Sequence, residues 1–334
     1  MNSPFGQLVQ VIRLALVAAV ITLIFLMTAL FLFIHPEIVK EKMGGQTIEI
    51  SSQQLWEAPD TLSIPLVKWG NQIRYGRKLI AHTAQYLGPK GSVMQISNGM
   101  NCQNCHLNAG TKPFGNNYGS VASLYPRFRV RSGSLESIEK RVNDCIERSL
   151  NGTSLDSLSH EMRAIVAYIN WVGKDVLKGK KANGSGLYDI AYVNRAADTV
   201  KGRSLYITKC EICHGRKGEG MKRNNGIDYV NPPLAGENSF NVSAGLYRIS
   251  NFAKYIYANM PLGATHDSPL LTEEESWDIA AYVLSLPRPE KRFAGDWPKV
   301  ETKPVDHPFG PYADSFSEAQ HKYGPFIPIL ERLK

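Results

Sequence analysis

The chain has 334 residues, with 38 Lys and Arg against 30 Asp and Glu, a formal net charge of +8. That length leaves room for two domains, and the positive balance favours anionic small molecules, an acidic partner or an anionic membrane surface. Nucleic acid, otherwise a natural partner for a basic chain, is excluded by the compartment that the cysteine motifs described below imply.

Leu14 to Ile34 is an uncharged apolar run, long enough as a helix to cross a hydrocarbon core of about 30 Å. It is longer than the apolar region of a cleavable signal, and no small-residue cleavage pattern follows it. The run predicts an uncleaved anchor over 1–36, then a polar tether over 37–68. A helical pattern starts near Trp69, with Ile73, Leu79, Ile80 and Ala84 on one face, and ends at Leu87-Gly88-Pro89. After Met94 to Asn101 comes Cys102-Gln-Asn-Cys105-His106, then a loop-rich stretch to Ser159. Ser159 is a candidate N-cap for a helix from His160 to about Val176. The basic, Gly-containing Lys178 to Ser185 reads as a linker, assigned to 178–193. A helix from Arg195 to Thr208 runs into Cys210-Glu-Ile-Cys213-His214. Thr272 to Glu275 is a capping box that opens a last main helix ending before Pro287. A tail rich in Pro and aromatic residues, 288–334, follows and is expected to wrap the domains.

Cys-x-x-Cys-His is the attachment pattern of a c-type haem, although a single copy would also suit a zinc ligand pair or a disulfide. The two thiols reach the porphyrin's vinyl groups, and the adjacent imidazole becomes an axial ligand of the iron. Two copies in matching surroundings favour two covalently bound haem c groups. Gly76-Arg-Lys-Leu79 is echoed by Gly202-Arg-Ser-Leu205, and Ile165-Val-Ala-Tyr-Ile169 by Ile279-Ala-Ala-Tyr-Val283. The expected fold is therefore mostly α, with one N-terminal transmembrane helix followed by two tandem cytochrome c domains, 69–177 and 194–287. Covalent haem attachment takes place outside the cytoplasm. The expected location is thus a bacterial inner membrane, crossed once, with the haem domains in the periplasm.

Each iron needs a second axial ligand. In the second domain Met260, ahead of Pro261, stands just before the closing helix, with Met221 as its competitor. In the first domain no Met lies between His106 and Glu161. The corresponding slot holds Cys145, the one cysteine of five that the motifs leave over. His160 is the alternative, as is a five-coordinate iron. A thiolate stabilises ferric iron and a thioether favours ferrous iron, so the first haem is expected to be the low-potential member. The metal ligands expected are therefore His106, Cys145, His214 and Met260, with Cys102, Cys105, Cys210 and Cys213 holding the porphyrins.

Around Cys145 the sequence is strongly basic. Tyr125-Pro-Arg-Phe-Arg-Val-Arg131-Ser-Gly is followed by Arg141-Val-Asn-Asp-Cys145-Ile-Glu-Arg148-Ser149-Leu-Asn-Gly152. Such a run is a solvated surface, a set of haem propionate partners, or a pocket for an oxygen-rich anion. With Asn259-Met260-Pro261 and His307-Pro-Phe-Gly-Pro-Tyr312, these blocks resemble the thiosulfate dehydrogenase and tetrathionate reductase family of di-haem cytochromes, from about Trp69 to the C-terminus. The resemblance implies oxidative coupling of two thiosulfates to tetrathionate, with some members running the reverse reaction. It also implies a Cys-ligated active haem at Cys145 and substrate contacts from Arg131, Arg141 and Ser149. Electrons would pass to a cytochrome c or a terminal oxidase. Some relatives have Lys at the position of Asn259. The alternative is a non-catalytic di-haem carrier between respiratory complexes, which needs neither an anion pocket nor a spare cysteine.

Overall fold

The structure, a computed structural model, describes residues 4–34 and 54–332. The chain divides into two compact units, Met1–Ser52 and Gln53–Lys334.

In the N-terminal unit, helix α1 spans Pro4–Ile34, and apolar side chains along it, such as Leu14, Leu23 and Phe25, are exposed. Among the described residues no helix is long and apolar enough to cross a membrane. The expected transmembrane span is corrected accordingly. Of the expected tether, residues 37–53 lie outside the described residues.

The larger unit is mostly helical. Its main helices are α2 (Lys68–Ala81), α3 (Ile138–Arg148), α4 (His160–Val172), α5 (Thr199–Lys209), α6 (Ile249–Asn259) and α7 (Glu273–Ser285). Two small antiparallel hairpins, β1–β2 (Arg127–Arg129 with Ser134–Glu136) and β3–β4 (Met221–Lys222 with Tyr229–Asn231), complete it. Short helical turns join these elements.

Two helix crossings build two lobes. α2 packs on α4 in the first and α5 on α7 in the second. The sequence echo marks the crossing points. A Cβ on Gly76 would lie 1.9 Å from the Ala164 carbonyl oxygen, and one on Gly202 would lie 1.8 Å from that of Asp278. Only glycine lets these backbones meet. The apolar spacing around each crossing is buried. Leu79, Ile80, Tyr168 and Val172 are at most 1% exposed in the first lobe, as are Tyr206, Trp277 and Val283 in the second. Each such aliphatic side chain contributes roughly 1.5–3 kcal/mol.

Ends differ from expectation by a few residues. His82 (φ −130°) breaks the first helix at Ala81, with a separate turn over Thr83–Leu87. α4 stops at Val172, and α5 begins at Thr199 because the Asp198 carboxylate caps it. The Ser159 hydroxyl caps α4, and Thr272 with Glu275 forms the expected capping box on α7. The stretch expected to be a loose linker is strapped to the first lobe. Phe114 and Asn116 donate backbone hydrogen bonds to Gly184 and Gly186, at 2.7 and 3.0 Å.

The tail fastens one further helix in each lobe. Asp296 makes a paired contact with Arg148 at the end of α3, at 2.6 and 2.8 Å. Asp306 accepts from Arg248 Nε at 2.8 Å and from the Ser250 amide at 3.1 Å, at the start of α6.

Candidate functional site

The loop after α2 and the helix α3 line a partly open cavity in the first lobe. Cys102, Cys105 and His106 line it together with Arg141, Cys145 and Ser149, and Ile80, Leu87, Ile165 and Ile169 make it largely apolar. The α3 residues arrive there by helical spacing, since 141, 145 and 149 are four apart and share one face. The Ser137 hydroxyl caps that helix on the Lys140 amide.

His106 is oriented by its Nδ1, 2.5 Å from the Asn116 carbonyl oxygen. A carbonyl only accepts, so Nδ1 carries the proton and Nε2 keeps a free lone pair, the form that ligates a metal. Asn116 sits at φ 58°, a left-handed conformation that Asn tolerates better than most residues. The ring also stacks on Tyr118, with centroids 4.6 Å apart. The Cys145 thiol lines the same cavity as His106. Two thiols, an imidazole with a free nitrogen and an apolar cavity fit a covalently held haem, with a thiol facing the imidazole.

The three thiols differ in electrostatics. Burial, above all, pushes Cys102 up to about 11 and Cys105 up to about 12. Burial would raise Cys145 as well, but the Arg141 charge and the neighbouring His106 outweigh it and bring the thiol down to about 7. In return the Cys145 thiolate, more than any other group, keeps Arg141 more firmly protonated than usual. Among the described residues Arg141 has no carboxylate within ion-pair distance. Asp144, three residues further along the helix, is taken by Lys140 and Arg148.

The second cavity is lined by Cys210, Cys213, His214 and Met260, with Phe252 and Ile256 from α6. His214 Nδ1 lies 2.9 Å from the Pro232 carbonyl oxygen, which again leaves Nε2 free. Met260 is the C-cap of α6. Met221 is exposed and does not line the cavity. The two cavities share Asn101 and Cys105. Further ties join the lobes. Tyr255 Oη donates to the Asn104 carbonyl at 2.9 Å, and Asn259 Nδ2 donates to that of Phe114 at 3.1 Å.

The structure thus brings Cys102, Cys105, His106, Arg141, Cys145 and Ser149 together, and Cys210, Cys213, His214 and Met260 likewise. It does not bring Arg131 into the first cavity. Arg131 lies in the turn between β1 and β2 and lines a neighbouring cavity formed with the tail. Arg148 is not free for an anion, since Asp296 holds it and the guanidinium stacks on Phe293 at 3.9 Å. His160 is exposed and stacks on Tyr75 at 5.1 Å. Sequence reasoning missed Asn116, Pro232 and Asp296. Asn116 and Pro232 act through backbone carbonyls, which carry no residue signature, and Asp296 lies in a segment without periodicity.

Comparison with known proteins agrees with this geometry. The "SoxA/TsdA, cytochrome c domain" family matches residues 92–176, and the "Cytochrome C oxidase, cbb3-type, subunit III" family matches residues 197–283. The thiosulfate dehydrogenase of Psychrobacter arcticus is 36% identical over 76% of this chain and 75% of its own length. That of Allochromatium vinosum is 36% identical over 69% of this chain and 83% of its own. The solved thiosulfate dehydrogenase TsdBA from Marichromatium purpuratum superposes with a TM-score of 0.66 at 29% identity. The match covers 72% of this chain and about half of that longer one, 51%. Two cytochrome c domains, a thiol facing the first haem-binding histidine and relatives above 30% identity over most of their length lead to one assignment: the chain is an oxidoreductase of the thiosulfate dehydrogenase family.

Proposed function

We propose that the protein joins two thiosulfate dianions into one tetrathionate dianion, with release of two electrons, on the periplasmic side of a bacterial cell. It does so with two covalently bound haem c groups. The observation that carries this reading is Arg141, a half-buried arginine without a carboxylate partner, one helical turn before the Cys145 thiol in the largely apolar first cavity. A charge so placed costs desolvation energy unless an anion compensates it. Thiosulfate supplies that anion and a sulfane sulfur.

The residues divide the work by chemistry. Cys102 and Cys105 would hold the first porphyrin, with His106 and Cys145 as candidate iron ligands, while Cys210, Cys213, His214 and Met260 would do the same for the second. When bound, haem would supply one-electron acceptance, with a cytochrome c or a terminal oxidase as the final acceptor. Arg141 offers a guanidinium fork to the substrate's oxygens, which offsets the repulsion between dianions. The Ser149 hydroxyl, one turn beyond Cys145, offers a further donor.

The test is direct. Purified oxidised protein is mixed with thiosulfate alone, and the haem absorbance is followed. The expected result is haem reduction with tetrathionate formed in proportion. If the haems stay oxidised with thiosulfate, yet exchange electrons with another cytochrome, the protein is a carrier.

A further inference from the structure

The cavity that Arg131 lines shares no lining residue with the first-lobe cavity. Its charged and titratable lining groups are Arg131, Arg248, Arg292, Lys303, Asp296, His307 and the phenol Tyr247. Two of them are neutralised within the fold. Asp296 is bound to Arg148 and Arg248 to Asp306. His307 is neutral at working pH, because burial first, and then the charges of Lys303, Arg131 and Arg248, lower its pKa to about 4.

Three cations remain. Arg131 makes no ion pair and no side-chain hydrogen bond among the described residues, and its guanidinium lies 5.6 Å above the Trp297 ring. Lys303 Nζ donates only to the carbonyls of Phe309 and Pro311, at 3.2 and 2.9 Å. Arg292 faces Glu290 at 3.5 Å with both side chains more than 60% exposed, a contact that water and salt largely screen.

A second observation is independent of charge. Trp297 lines the same cavity and is only 8% exposed, yet its indole N–H has no hydrogen-bond partner among the described residues. Its backbone is held at φ 58°, an unusual conformation for so bulky a residue, with its amide donating to the Arg131 carbonyl at 2.6 Å. Buried donors without partners are rare in folded proteins. Here one shares a cavity with three uncompensated cations and no free carboxylate.

We infer that this cavity is a second anion site, which takes a doubly charged sulfur oxyanion beside the one held at Arg141 and Cys145. The chemical class rests on the reading that thiosulfate is the substrate. A reaction that consumes two identical dianions gains from a site that holds one while the other occupies the haem cavity. Arg131 lines the tail cavity, and burial first, with the Arg148 and Arg141 charges after it, lowers its pKa.

The probe is sulfate, a dianion that cannot be coupled. Radiolabelled sulfate is dialysed to equilibrium against oxidised, haem-loaded full-length protein at fixed chloride. The expected result is two sulfates per chain. Arg141→Ala should remove one. Lys303→Gln combined with Arg292→Gln should weaken the other about tenfold or more, the loss expected from charge-assisted hydrogen bonds. Lys303→Arg should retain it. An unchanged haem spectrum and far-UV circular dichroism establish that each variant is folded. The inference is overturned if a single sulfate binds and only Arg141→Ala removes it, if none binds, or if the second survives the double substitution. Haem reduction by thiosulfate in a protein that binds one sulfate would remove the second site and leave the proposed activity standing. Two sulfates bound without such reduction would do the reverse.

Discussion

In the first lobe the helix that closes the haem cavity carries Arg141 and Cys145 four residues apart. In the second the matching helix carries Ile256 and ends at Met260, also four apart. The scaffolds are otherwise alike. Each has a glycine-mediated crossing of its first and last helices, an imidazole fixed through Nδ1 by a backbone carbonyl, and a distal helix fastened by a tail aspartate. A clear difference lies in the turn facing each cavity, where Cys145 sits inside its helix and Met260 caps the end of its own. A guanidinium and a thiol face the first cavity there, whereas an isoleucine and a thioether face the second. One plan used twice has diverged at these positions.

The comparison breaks most visibly at Cys145. Cys145→Gly should abolish turnover, a loss beyond the roughly 10–100-fold that even an outer partner of a metal site costs. Both haems should remain attached, because the four motif cysteines are untouched. Met260→Gly should spare the reaction of thiosulfate with the first haem and slow only steady turnover. Haem content together with single and multiple turnover separates the two, and near-normal activity of Cys145→Gly would leave the thiol a bystander. Next in size are the two clamps. Asp296→Asn and Asp306→Asn each strand an arginine that is mostly buried, 6% exposed for Arg148 and 22% for Arg248. Each should cost about 3–5 kcal/mol in denaturant unfolding. A silent Asp296→Asn would show that the tail does not hold α3. Arg141→Ala should lower kcat/KM for thiosulfate about tenfold to a hundredfold, the loss of one charge-assisted hydrogen bond. Arg141→Lys should recover part of it, since an ammonium cannot make the paired contact. Unchanged kinetics in both would remove the arginine from the substrate site.

Much of this was legible in the residues, for identifiable reasons. Gly76 and Gly202 could be read because a close helix crossing tolerates one residue type, and the echo repeats its neighbours. Cys145 stood out because four thiols were already committed and the slot lacked a methionine. The roles of the arginines were not legible. Arg131, Arg141 and Arg148 share one basic stretch, yet Arg148 pairs with Asp296, far along the chain, Arg141 faces the thiol, and Arg131 opens into the tail cavity. Local sequence cannot say which arginine a distant carboxylate will neutralise. The tail itself has no periodicity, so Asp296 and Asp306 gave no signal before they were seen against α3 and α6. The apolar run from Leu14 to Ile34 forms a helix, as its composition suggests, but composition alone overstated it as a membrane span.

The specialisation of the first lobe by Cys145 is tested most directly by low-temperature electron paramagnetic resonance of the oxidised, haem-loaded protein. Two low-spin species are expected, one with the narrow g-spread of thiolate–imidazole ligation and one of the thioether–imidazole type. The first should vanish in Cys145→Gly while the second persists. A spectrum holding only methionine–imidazole and bis-imidazole species, unchanged in that variant, would contradict the assignment of Cys145 to the first haem.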